Sequence, residues 1–177
     1  MNMIRRLSAL TLALMLVAGP SLAQTVVIVR HGEKVSPDGD PDLSAAGQVR
    51  AKALAAALSG AKVALVLATP LKRTQQTGQP TADAAGVSVQ TIALDGGVAA
   101  HAQRVAKAAR EAAKDTTVLI VGHSNTVGEI ARALGDTAPS PVTDCDYDQM
   151  TIITLGAPAA RTVHARYGAP TQACPAG

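Results

Sequence analysis

Apolar residues fall along this chain in short runs, separated by longer alanine-rich stretches of mixed polarity. Val26 to Val29, Val63 to Ala68 and Thr117 to Val121 are continuous runs rich in branched side chains, the pattern of parallel strands covered on both faces. Val87 to Ile92 alternates and reads as a third strand between the second and the fourth. Between the strands the period lengthens. Ser44 is an N-cap for a helix to about Leu58, with Val49, Ala53, Leu54, Ala57 and Leu58 on one face. Thr69-Pro70 pairs a cap residue with proline at the first helical position and opens a helix to about Ala85. Gly96-Gly97 precedes a helix to about Ala113, and Ser124 or Asn125 caps another over about Thr126 to Leu134. Two closing strands, about Met150–Leu155 and Thr162–Tyr167, end the pattern. Strands alternating with helices predict one α/β domain with a mostly parallel sheet.

In such a sheet successive strands finish on the same edge, where open α/β folds place their ligands. The first strand finishes in Arg30-His31-Gly32-Glu33 and the fourth in Gly122-His123-Ser124-Asn125. The helix after the second strand carries Arg73 in its first turns. Arg30, His31, Arg73 and His123 should therefore converge, with two helix N-termini aimed at the same place. Helix N-termini and guanidinium forks both favour an anion, and the fork suits phosphate oxygens. Gly32 is expected to let the backbone turn sharply beside a ligand. Zinc bound by the two histidines is disfavoured, since neighbouring arginines oppose a dication. His101 and His164 read as surface or packing residues, and Lys72 as a solvated helix charge. The Ser36–Asp42 loop is either substrate-facing or a plain surface connection.

The chain's ends change the picture of where it works. Arg5 and Arg6, the apolar run from Leu7 to Ala18, and Ser21-Leu22-Ala23 have the form of a cleaved signal peptide over 1–23. The mature domain would span 24–177, periplasmic or secreted, with no stable membrane anchor. Removing Arg5 and Arg6 lowers the formal charge from +3 to +1. Near neutrality and the absence of Phe and Trp argue against nucleic acid as a partner. Cys145 and Cys174 form a candidate disulfide in an oxidising compartment. The loop so closed, about 30 residues, would contribute roughly 3–4 kcal/mol in the chain-entropy model.

Arg30-His31-Gly32-Glu33, Thr69-Pro70-Leu71-Lys72-Arg73-Thr74 and Val121-Gly122-His123, with Leu43-Ser44 and Gly47 in the first helix, resemble the histidine phosphatase superfamily, also called phosphoglycerate mutase-like. The resemblance runs from about Val26 to about Leu155. It implies a three-layer α/β/α fold and a phosphohistidine formed on His31. Arg30, Arg73 and His123 would hold the phosphoryl oxygens, and no metal or other cofactor is implied. Relatives of the simpler branch supply a Glu proton donor between the second arginine motif and the second histidine; here Glu111 falls late in a helix. Asp95, after the third strand, is the best substitute. Glu33 is the alternative, or it contacts substrate or orients an arginine; a third possibility is that no donor exists. The expected activity is hydrolysis of small phosphomonoesters or phosphoamidates, with a phosphoprotein as a further candidate partner. The competing reading is a phosphate- or anion-binding module without turnover.

Overall fold

The computed structural model describes residues 23–156 and 159–171. The signal-peptide reading and Cys174 lie outside the described residues. Ten elements follow one another: β1 (Gln24–Arg30), α1 (Ala45–Ala57), β2 (Val63–Ala68), α2 (Lys72–Ala85), β3 (Val89–Thr91), α3 (Gly97–Glu111), β4 (Thr117–Gly122), α4 (Val127–Leu134), β5 (Gln149–Leu155) and β6 (Arg161–Arg166). The strands form one sheet in the order β3-β2-β4-β1-β5-β6. β1 to β4 are mutually parallel, while β5 and β6 run antiparallel at one side.

The continuous apolar runs are central because both of their faces are covered. Val26 and Ile28 of β1 join Ile120 of β4 against Val105 of α3 and Ile130 of α4. Val27 and Val29 join Leu119 and Val121 against Leu54 of α1 and Ala82 of α2 on the other face. Each fully buried Val, Leu or Ile contributes about 1.5–3 kcal/mol relative to exposure. The layers are therefore α/β/α, as expected. β3 is shorter than the alternating run predicts, because only Val89 to Thr91 pair with β2 at the sheet's edge.

Two helices differ from the sequence reading. Ser44 does cap α1, accepting from Gly47 N at 3.2 Å, but the buried face is Gly47, Arg50, Ala51 and Leu54. Val49 is 65% exposed. The helix is rotated because Arg50 turns inward to meet Glu33, with Nη2 to Oε1 at 2.6 Å. α2 starts at Lys72 rather than at Pro70. Thr69 Oγ1 accepts from Leu71 N at 3.3 Å, and Leu71 is extended. The first helical amide, Lys72 N, donates to Asp40 Oδ1 at 2.9 Å. The Ser36–Asp42 loop thus serves α2 as a cap from elsewhere in the chain.

Candidate active site

β1 and β4 are parallel neighbours with Arg30 opposite Gly122, so His31 and His123 leave the sheet at the same level. The bond from His31 N to Gly122 O at 3.0 Å carries the ladder one residue further. Adjacent strands lie ~4.8 Å apart. The two rings stand edge to face with centroids 5.4 Å apart, close enough for one tetrahedral oxyanion to reach both.

His31 Nδ1 lies 2.7 Å from Gly32 O. A carbonyl only accepts, so Nδ1 carries the proton and Nε2 keeps its lone pair. Burial lowers the His31 pKa from 6.5 to about 4; the Gly32 bond opposes this, and the charges of Arg30, Arg73 and Lys34 reinforce it. Burial, then the neighbouring His31 and Arg73, lower His123 to about 3. Both rings are neutral at pH 7, as a nucleophilic imidazole must be.

His123 Nε2 is 3.0 Å from Thr69 Oγ1. Thr69 and Thr74 share a hydroxyl contact at 2.8 Å, and Thr74 Oγ1 also lies 2.8 Å from Leu71 O. The threonine that sequence alone marks as a helix cap therefore fixes the second imidazole. Thr126 Oγ1 accepts from His123 N at 2.9 Å, which leaves α4 without the side-chain cap expected from Ser124 or Asn125.

The arginines are held differently. Arg30 Nη1 donates to Thr143 O at 2.7 Å and Asp146 O at 3.3 Å, and its guanidinium carbon lies 4.2 Å from the Tyr147 ring centre. Arg73 is 14% exposed, with Asp40 Oδ1 at 3.7 Å from Nη1, beyond hydrogen-bond range. Arg30 Nε and Arg73 Nε and Nη1 are buried and find no acceptor among the described residues. Buried guanidinium donors without acceptors are costly unless something anionic satisfies them. A cavity of about 590 Å³ opens among Arg30, His31, Lys34, Arg73 and His123. Its rim includes Leu71 and Arg73 at the start of α2, Gly97 and Val98 at the start of α3, and Asn125 and Thr126 at the start of α4. Three positive helix ends thus face it, one more than the sequence reading placed there.

Gly32 is used otherwise than expected. It is not among the glycines with positive φ, and its N donates to Thr77 Oγ1 at 2.9 Å. Its smallness serves α1: a Cβ there would lie 3.0 Å from Gly47 O, and one on Gly47 would lie 2.2 Å from Glu33 O.

The carboxylates expected to take part stand outside the cavity. Glu33 faces away, gripped by Arg50 Nε and Nη2, and borders a separate groove of about 800 Å³ with Val49, Tyr147 and Ala169. Asp95 is 78% exposed and pairs with Arg104 at 2.7 Å. His101 is buried with Nδ1 2.8 Å from Ala93 O, and His164 pairs with Asp136 at 3.5 Å on β6. Cys145 lies in the α4–β5 loop, bordering the larger groove. Among the described residues no group of three or more His, Cys, Asp or Glu has metal-holding geometry. Sequence reasoning passed over Lys34, Tyr147 and Asp144, which border the cavity or clamp Arg30. Lys34 follows the first motif and was findable; the other two lie in an aperiodic loop.

Residues 26–94 match the family model described as histidine phosphatase superfamily (branch 1). No curated protein matches the sequence. Among solved structures, mycobacterial hydrolase 2 superposes with a TM-score of 0.62 at 20% identity, over 86% of this chain and 93% of that one. The mycobacterial glucosyl-3-phosphoglycerate phosphatase Rv2419c gives 0.60 at 17%, over 82% and 98%. The protein histidine phosphatase SixA complexed with tungstate gives 0.60 at 21%, over 80% and 96%. At these identities the likeness is one of fold. The chain has the fold of the histidine phosphatase superfamily, and its residues 26–94 carry that superfamily's sequence pattern.

Proposed function

We propose that this protein is a phosphatase that needs no metal and works through a phosphohistidine on His31, hydrolysing phosphomonoesters or phosphoamidates. The observation that carries the reading is the pair of neutral imidazoles 5.4 Å apart, flanked by buried arginine donors that lack acceptors. In the proposed reaction His31 Nε2 attacks phosphorus, the bond to the leaving group breaks, and water then displaces the phosphoryl group from the imidazole. Arg30 and Arg73 hold the phosphoryl oxygens and offset the charge that shifts onto them during transfer, the main protein contribution in such reactions. His123 joins them through Nδ1, since Nε2 is taken by Thr69. To donate to an oxygen, Nδ1 must carry the ring proton, so the Thr69 hydroxyl donates to Nε2.

Similar folds include structures solved with tungstate and with VO3, both oxyanions, and these support an oxyanion site here. Their substrates are a glucosylated phosphoglycerate in one case and a histidine-phosphorylated protein in the other, by their names. A small phosphorylated compound is the favoured substrate class for this chain, with a phosphoprotein next. Export through the leader at 1–23 belongs to the same proposal, and N-terminal sequencing of the processed protein should begin at Gln24.

The test is turnover of p-nitrophenyl phosphate by the mature protein in EDTA, beside a His31→Ala variant. Chelator-resistant turnover that the variant lacks, with acid-labile and base-stable phosphate trapped on the wild type, is the expected result. Phosphate binding without turnover would favour an anion-binding module. One observation speaks for that second reading: the Asp95 carboxylate is engaged by Arg104 away from the cavity.

A further inference from the structure

The cavity around His31 is bordered by one carboxylate among the described residues, Asp144. It comes from the loop between α4 and β5, well after both histidine motifs. Ser124, the residue next to His123, donates from Oγ to Asp144 Oδ1 at 2.9 Å. Arg30 Nη2 lies 3.5 Å from the same oxygen. Both contacts fall on Oδ1, so Oδ2 has no partner among the described residues. The side chain is 87% exposed, at the mouth rather than the floor. Asp144 also borders the larger groove beyond Tyr147, so it stands where the phosphate cavity opens toward the rest of a substrate.

Resting on the phosphatase reading above, we infer that Asp144 is the acid–base catalyst of this site. A leaving-group oxygen must depart opposite His31 Nε2, and it needs a proton unless it is a stable anion. As the nitrogen–phosphorus bond forms and the phosphorus–oxygen bond breaks, protonated Asp144 gives its proton to the departing oxygen. In the second half the resulting carboxylate takes a proton from water as the water oxygen bonds to phosphorus. The nitrogen–phosphorus bond then breaks and its electron pair returns to Nε2, restoring both groups. Ser124 ties the acid to the turn that carries His123, so donor and phosphoryl clamp are held by neighbouring residues. Neither Asp95 nor Glu33 borders the cavity.

Leaving-group dependence tests this. Wild type, Asp144→Asn, Asp95→Asn and His31→Ala are assayed in EDTA on p-nitrophenyl phosphate and on glycerol 2-phosphate. General acid catalysis contributes about 10²–10⁴-fold. Asp144→Asn should lose that much in kcat/KM on the alkyl ester and less than about tenfold on the aryl ester, while Asp95→Asn keeps both. Thermal melting of Asp144→Asn should match wild type, since the side chain is exposed. Equal losses on the two esters, no loss on either, or a selective loss in Asp95→Asn instead would overturn the assignment and leave the phosphatase reading standing. Absence of His31-dependent turnover in the wild type would overturn both.

Discussion

Lowering the pH is the most direct probe of the His31 environment. An ordinary histidine titrates near 6.5, whereas burial and the arginines bring His31 to about 4. That difference corresponds to about 3 kcal/mol in favour of the neutral ring. At pH 5 an ordinary histidine is neutral in about one molecule in thirty, and His31 in about nine of ten. The assay is histidine ring NMR of the ligand-free protein from pH 7.5 to 3.5, with His31 assigned by its absence in His31→Ala. Its signals should hold steady until below about pH 5. Folding stability must follow with a fixed sign. Above pH 6.5 neither folded nor unfolded chain protonates this ring, and the linkage contribution is zero. Between 6.5 and 4 the unfolded chain takes up a proton that the native state refuses, so stability falls with pH by as much as ~3 kcal/mol. His123, lowered to about 3, acts in the same direction. Urea midpoints at pH 7 and 4.5 measure the fall. A His31 inflection between pH 6 and 7 would refute the picture of a desolvated ring among cations. Turnover profiles are less clean, because phosphate esters change charge near pH 6 themselves.

Gly47→Ala should destabilise by about 1–3 kcal/mol, since the new Cβ meets Glu33 O at 2.2 Å and must push α1 away from the end of β1; thermal melting reads the loss and phosphatase assays any displacement of His31. Arg50→Met leaves the partly buried Glu33 without its fork and is expected to cost about 3 kcal/mol in denaturant melts, with Glu33→Gln/Arg50→Met recovering part of it. Thr69→Val removes the hydroxyl at His123 Nε2 and leaves buried groups unpaired, about 1–3 kcal/mol; kcat should fall more than KM rises, and Thr69→Ser should restore it.

The sheet's centre was readable because Val26–Val29 and Thr117–Val121 are short apolar runs rich in branched side chains, the pattern of strands covered on both faces. Strand polarity then puts His31 and His123 on the same edge, and the pairing of β1 with β4 brings them together. The orientation of α1 was not readable. Alanines at 45, 46, 51, 53, 55, 56 and 57 give a helix no strong side, so burial was decided by the Arg50–Glu33 ion pair, a tertiary event. Asp95 was chosen because it follows the third strand. In the fold it turns toward Arg104 of α3 instead of toward the histidines. Asp144 escaped notice for the opposite reason: its loop has no period, and its location depends on β5 docking antiparallel beside β1.

The clamp on Arg30 reaches across 113 positions of chain to the Thr143 carbonyl. On the proposed function, an arriving oxyanion meets a guanidinium already immobilised, whose ~2 kcal/mol of rotamer freedom was surrendered when the chain folded. Encounter needs no search by that side chain, and the tightness of capture becomes a property of a surface loop. On the proposed function, substitutions at Thr143, Asp146 or Tyr147 that displace these contacts would loosen the grip on phosphate while leaving every recognisable motif intact.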